Sequence, residues 1–294
     1  MGIITGGVGF FDSGLGGLNV LDACPFLHSS FPVYYYGDNQ NAPYGNKTKE
    51  ELAPLVFSAF DCFAKLNACA AVVACNTVTA LFIDELRARY PFPVVGTEPA
   101  VLTAARRGGE VLVLATNATV NSARMRALAT RAEKSFLDCT VRLCGCGALA
   151  GEIERHVLDE KYDFTPFFPK GRPSSVVLGC THYAYVKKEI ADFYGCEVVD
   201  GAEGIANRLL SLLKTLPKPT GKEALSYLPQ KPSVFPSFFT DEKRLEKGRK
   251  IKKFRWHFPL YFLGSGGLQN LNFHKRMFVF KTNGKKVVKK SQKF

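Results

Sequence analysis

Short, uninterrupted apolar runs recur along the chain, each ending at a small or polar residue. Gly7–Phe11 ends at Asp12, Val33–Tyr36 at Gly37-Asp38, Ala70–Ala74 at Cys75 and Pro93–Val95 at Gly96. Val111–Ala115 ends at Thr116, Ser175–Leu178 at Gly179-Cys180 and Glu197–Val199 at Asp200. Runs this short, β-branched and without polar alternation predict strands buried on both faces, as in a parallel sheet. Between them, Thr48–Leu66, Thr79–Tyr90, Ser122–Phe136 and Glu203–Lys214 mix apolar and charged positions and predict helices. The alternation predicts an α/β architecture. Such folds bind ligands just past the carboxyl ends of their strands. That rule singles out Asp12, Asp38, Cys75, Thr116 and Cys180.

Val72–Thr77 (Val-Val-Ala-Cys-Asn-Thr) is echoed by Val177–His182 (Val-Leu-Gly-Cys-Thr-His). In each, an apolar strand runs into a small residue, a cysteine and two polar residues. Two similar lobes, each a mainly parallel sheet flanked by helices, would set one cysteine apiece on a shared cleft. Chance likeness of two buried strands is the competing explanation. Prolines at 217, 219, 229, 232 and 236 mark loops, and Asp241–Arg255 reads as a charged surface helix. The expected division is residues 1–97 with 208–264 as lobe one, 98–207 as lobe two, and 265–294 as a basic tail.

Composition narrows the function class. The 294 residues are 46% hydrophobic, enough for a sizeable core in two lobes. No run approaches the roughly 18 apolar residues of a membrane helix. The first residues carry no basic stretch before their apolar run, unlike a secretory signal. A cytoplasmic enzyme is expected. Nine cysteines, an odd number scattered through apolar runs, fit reduced thiols better than a disulfide framework. The net charge of +13 invites a nucleic-acid partner, but eight of the basic residues fall after Ser265 with no acid among them. Phe273, Phe278, Phe280 and Phe294 lie among those lysines, as stacking platforms can. A solvated basic tail explains the same pattern, and no nucleic-acid partner is expected.

Most free cysteines are small core residues. Cys75 and Cys180 depart from that default because both end strands in matched contexts. A thiolate at a helix N-terminus is favoured by the dipole, and the Asn76-Thr77 and Thr181-His182 pairs that follow hold helix-capping types. The turn Asp12-Ser13-Gly14-Leu15-Gly16-Gly17 lets backbone amides approach an anion, though a tight strand–helix connection needs the same glycines. Pro43-Tyr44-Gly45 is a second such loop. Zinc on Cys75, Cys180 and His182 would lack an evident fourth ligand, and there is no C-x2-C pair, so no metal is expected.

Five of these segments, in order, resemble glutamate racemases of the aspartate/glutamate racemase superfamily. They are Phe11–Leu18, Tyr36–Asp38 with Pro43–Thr48, Ala74–Thr77, Ala115–Ser122 and Leu178–Tyr183. The likeness runs from about Val8 to Leu210, with a looser match from Phe238-Phe239-Thr240 to Phe262-Leu263-Gly264. The resemblance implies cofactor-independent racemisation of glutamate, feeding peptidoglycan synthesis, by a homodimer. It places the two catalytic thiols at Cys75 and Cys180. It makes Asp12, Glu152 and His182 their acid/base helpers. Substrate-holding positions fall on Asp12, Ser13, Tyr44, Gly45, Asn76, Thr77, Thr119, Thr181 and His182. Glu152 is placed by aligning Cys144 with the cysteine of the family's Cys-Pro segment, where Gly145 replaces the proline. Ala184 likewise stands where the family has proline. His182 resembles the glutamate-type members, since the aspartate type carries glutamate there.

Overall fold

The computed structural model describes residues 6–29, 31–157, 159, 161–216 and 260–263. Its strands are β1 (Val8–Asp12), β2 (Val33–Gly37), β3 (Ala70–Val73), β4 (Val94–Gly96), β5 (Gly109–Ala115), β6 (Cys139–Gly145), β7 (Ser175–Gly179), β8 (Glu197–Val199) and β9 (Leu260–Leu263). They form two sheets, ordered β4-β3-β1-β2-β9 and β6-β5-β7-β8. Every pairing is parallel. The helices are α1 (Leu18–Asp22), α2 (Lys49–Lys65), α3 (Asn76–Arg89), α4 (Val101–Ala105), α5 (Asn117–Asn121), α6 (Ala123–Ser135), α7 (Leu149–His156), α8 (Lys187–Tyr194) and α9 (Ala202–Leu213).

Side-chain alternation explains why the strands read as continuous apolar runs. Val8 and Phe10 enter one core layer, packed with Leu18 of α1 and Leu209 of α9. Phe11 enters the opposite layer with Val56 and Phe60 of α2. In the second sheet Leu112, Val176 and Leu178 face α7 and α8, while Val111, Val113 and Val177 face α4 and α6. Both faces of both sheets are covered, so no position on the central strands needs to be polar. The two-lobe α/β expectation holds.

Each of the seven expected strands is present. The sequence pattern passed over β6, because it is a sheet edge and only half-buried along most of its length. Its Thr140 and Arg142 break the apolar run. The helix expected from Thr79 begins at Asn76, immediately after Cys75. Thr48 caps α2 with a capping box to Glu51. No described helix is long and apolar enough to cross a membrane. The expected charged helix, the proline-marked loops and the basic tail lie outside the described residues.

Candidate active site

The carboxyl ends of β1, β3 and β7 deliver Asp12, Cys75 and Cys180 to the seam between the two sheets. Cys75 is the N-cap residue of α3, and the Val78 amide is directed at its thiol. Cys180 opens a 3-10 turn, Thr181–Val186, that runs into α8. The expectation of a helix N-terminus thus holds in full for Cys75, whereas Cys180 meets only a tight turn. All nine cysteines are free thiols. Cys75 and Cys180 are 5% and 7% exposed, so the seam is closed over both.

Each thiol has its own company. The Cys75 thiol donates to the Ser13 hydroxyl at 3.7 Å. Burial, then the charge of Asp12, pushes it up to about 12, against the opposing pull of the Val78 amide. Charge on Cys180 raises it further, which places the two sulfurs within electrostatic reach. Cys180 Sγ lies 3.9 Å from His182 Nδ1, and His182 Nε2 lies 2.5 Å from Glu154 Oε2. Burial pulls the imidazole down, but the Glu154 carboxylate and the Cys180 contact outweigh it, leaving His182 well above its ordinary value. His182 is therefore set to carry a proton between a carboxylate and a thiol.

Asp12 is fully buried. It accepts from the Gly14 amide at 3.0 Å and from the Thr181 hydroxyl at 3.1 Å. Burial raises its carboxyl, and His182 and the amides of Gly14 and Gly17 pull it back. The Thr181 contact crosses the seam. So does a cluster of hydroxyls: Thr77 and Thr116 lie 2.9 Å apart, and Thr116 and Thr119 2.9 Å apart. Gly45 backs onto Thr116, where an added Cβ would sit 2.5 Å from the threonine Cβ. Glycine is needed there for the turn to close on the opposite lobe. Asn76 is buried, and its Oδ1 has no hydrogen-bond partner, a polar atom suited to a ligand.

Two expectations need adjustment. The Tyr44 hydroxyl is held by Asp38 at 2.5 Å, so its turn offers backbone amides rather than a free phenol. Glu152 is not brought to the site: it pairs with Arg155 and Tyr162, and with His156 at 3.7 Å. The carboxylate that reaches His182 is Glu154, two residues on. Positions two apart on a helix point about 200° apart at 3.6 residues per turn, so one of them had to face away. Aligning on Cys146 instead of Cys144 shifts the match by those two residues and would have found it. Asn39, which donates to Glu154 at 2.6 Å across the seam, was missed as a site residue, whereas Thr116 was already singled out by its strand-end position.

An open cavity of about 350 Å³ lies between the lobes, lined by Gly45, Asn46, Thr48, Asn117 and Asn121 among others. Neither thiol lines it.

Comparison with known proteins fits this geometry. The family model of Asp/Glu/Hydantoin racemases matches residues 20–209. The chain is 36% identical over 255 residues to the glutamate racemase of Clostridium perfringens (strain ATCC 13124), covering 83% of this chain and 95% of that one.

The chain belongs to the Asp/Glu/hydantoin racemase family.

It is an amino-acid racemase, an isomerase. The glutamate racemase of Clostridium acetobutylicum is 37% identical over 219 residues, covering 71% of this chain and 84% of that relative. Among solved structures, the Escherichia coli glutamate racemase in complex with L-glutamate and the activator UDP-MurNAc-Ala superposes with a TM-score of 0.67. It is 26% identical, covering 90% of this chain and 99% of that chain. The racemase's two sheets are those of this fold.

Proposed function

We propose that this racemase interconverts L- and D-glutamate without a cofactor, Cys75 and Cys180 exchanging protons with opposite faces of the α-carbon. The observation that carries the reading is the pairing itself. Two buried thiols, one from each sheet, each contact a separate polar partner on one closed seam. Racemisation needs one base on either side of a planar intermediate. The thiolate on one side takes the α-proton, and the C–H electron pair passes into the α-carboxylate. The thiol on the other side then delivers its proton to the opposite face. Roles swap with the hand of the substrate.

Asp12 and Ser13 serve Cys75, while His182 and Glu154 serve Cys180 as a proton relay. Glu154 takes the helper role that the resemblance gave to Glu152. The amides of the Tyr44–Asn46 turn, the Asn76 and Thr77 side chains, and Thr119 and Thr181 hold the substrate's carboxylates and ammonium. Preorganised donors on the α-carboxylate stabilise the charge that builds there, more strongly in a seam without bulk water. Because both thiols are covered, the lobes part to admit substrate and close before chemistry. The chosen substrate rests on relatives 36–37% identical that are glutamate racemases. D-glutamate made in the cytoplasm by a homodimer for peptidoglycan synthesis completes the reading.

The test is L-glutamate in D₂O with purified protein and nothing added, followed by circular dichroism and mass spectrometry. The signal should decay to zero, with one α-deuterium in each D-glutamate formed. Persistent optical activity with glutamate, or faster decay with aspartate, would remove this assignment.

A further inference from the structure

We propose that Tyr185 is a positioning residue whose hydroxyl fixes the gap between the two thiols by bolting the Gly-rich turn of one lobe to the Cys180 turn of the other. The proposal rests on the two-thiol reading above.

Tyr185 follows Thr181 and His182 on the same 3-10 turn. Its hydroxyl donates to the Leu15 carbonyl at 2.9 Å, across the seam. The ring packs against both the β1–α1–α9 core and the core under α7 and α8. Burial and the nearby Glu154 and Asp12 charges hold the phenol well above its ordinary value, so it remains a donor at any working pH. From the opposite side, Tyr35 donates to the Gly14 carbonyl at 2.9 Å. The turn that carries Asp12 and Ser13 is thus held at consecutive carbonyls by one tyrosine from each lobe.

The seating is close. An added Cβ at Gly16 would lie 2.3 Å from Thr181 Oγ1 and 2.7 Å from the His182 amide nitrogen. Ser13 contacts Cys75, and Thr181 directly follows Cys180. A change in the depth of this seating therefore moves one sulfur relative to the other. Asn19 adds a long bond to the Thr181 carbonyl at 3.4 Å, which shares the load without setting direction.

Tyr185→Phe removes the hydroxyl and keeps the ring. A two-base enzyme needs both sulfurs in reach of one carbon. If the gap widens, proton removal continues on the near side, but delivery from the far side fails more often. The intermediate then recovers a solvent-derived proton on the side it lost one. In D₂O, α-deuterium should appear in unreacted L-glutamate, and the ratio of exchange to racemisation should rise at least severalfold. Turnover should fall about tenfold, within what a sub-ångström misplacement costs. A loss of folded enzyme lowers exchange and inversion together and leaves their ratio unchanged.

In fully folded Tyr185→Phe, a lowered rate with an unchanged ratio would overturn the positioning role, as would unchanged kinetics. Gly16→Ala presses on the same gap from the other lobe. It should raise the same ratio, and settles the matter if Tyr185→Phe does not accumulate. Cys75→Ala and Cys180→Ala run in parallel. If either racemises normally, the two-thiol reading fails, and this proposal with it. If both are dead but the ratio does not move, only the Tyr185 proposal fails.

Discussion

Cys75→Ala and Cys180→Ala should each lose racemisation by at least about a thousandfold, since a positioned acid or base contributes roughly 10²–10⁴-fold and no neighbouring group can replace the sulfur from the same side. For Cys75 the nearby groups are the Ser13 hydroxyl and a carboxylate whose oxygens accept from Gly14 and Thr181. Neither is a base aimed at the vacated space. For Cys180, the His182 ring reaches toward the sulfur but is committed to Glu154 on its other nitrogen. The residual behaviour should differ from simple death. The thiol left in each variant can still take and return a proton on its own side. Each variant should therefore exchange the α-proton of one enantiomer without inverting it, and the two variants should choose opposite enantiomers. Proton NMR in D₂O with each pure enantiomer reads this directly. Equal exchange of both enantiomers by one variant would point to a single-base route. Truncating a thiol leaves a cavity of one sulfur, so both proteins should fold, which a melting curve checks.

Glu154→Gln should cost about a hundredfold in kcat, while Glu152→Gln should stay within about twofold of the parent. The two residues share a helix and a side-chain type, which makes them a matched pair. Glu154 holds His182 at 2.5 Å and receives the Asn39 amide at 2.6 Å. Glu152 is taken up instead by Arg155, His156 and Tyr162. The sign of the pH effect follows from the charges. The Glu154 carboxylate favours the imidazolium, so removing it leaves burial opposed by the Cys180 contact without the carboxylate, and His182 loses its proton at lower pH. The limb of the kcat/KM profile governed by His182 should move toward acid in Glu154→Gln and stay in place in Glu152→Gln. Equal losses in both variants would mean that α7 matters only as packing.

Much of this site was legible before the fold was known, for a specific reason. Asp12, Cys75 and Cys180 end strands that are apolar on both faces, so a polar residue at their tips has no packing role to explain it. The Gly-rich turn was visible as chain chemistry, since glycine at 16 is demanded by contact with Thr181. What escaped was information carried by the angle around a helix and by contacts across the seam. Cys144 and Cys146 both offer an anchor for the following glutamate, and the choice between them reverses which face of α7 looks inward. Asn39 and Tyr185 look like ordinary loop and turn residues until the opposite lobe supplies their partners. β6 was hidden because an exposed edge tolerates arginine and threonine where a central strand does not.

The unequal company of the two thiols bears on how the enzyme treats its two substrates. Free L- and D-glutamate have equal energies, so the equilibrium constant between them is one, and kcat/KM must be the same for both hands at every pH. That identity constrains the quotient alone. Cys75 sits against a serine and a buried aspartate, while Cys180 is served by an imidazole and its carboxylate, and resting protonation need not divide evenly between such different surroundings. Where it divides unequally, KM and kcat differ between the two enantiomers by the same factor, so that their quotient stays equal. A cell that meets an excess of one hand would see this asymmetry in how fast the excess is drawn down at saturation, while the direction of net flux follows the excess alone.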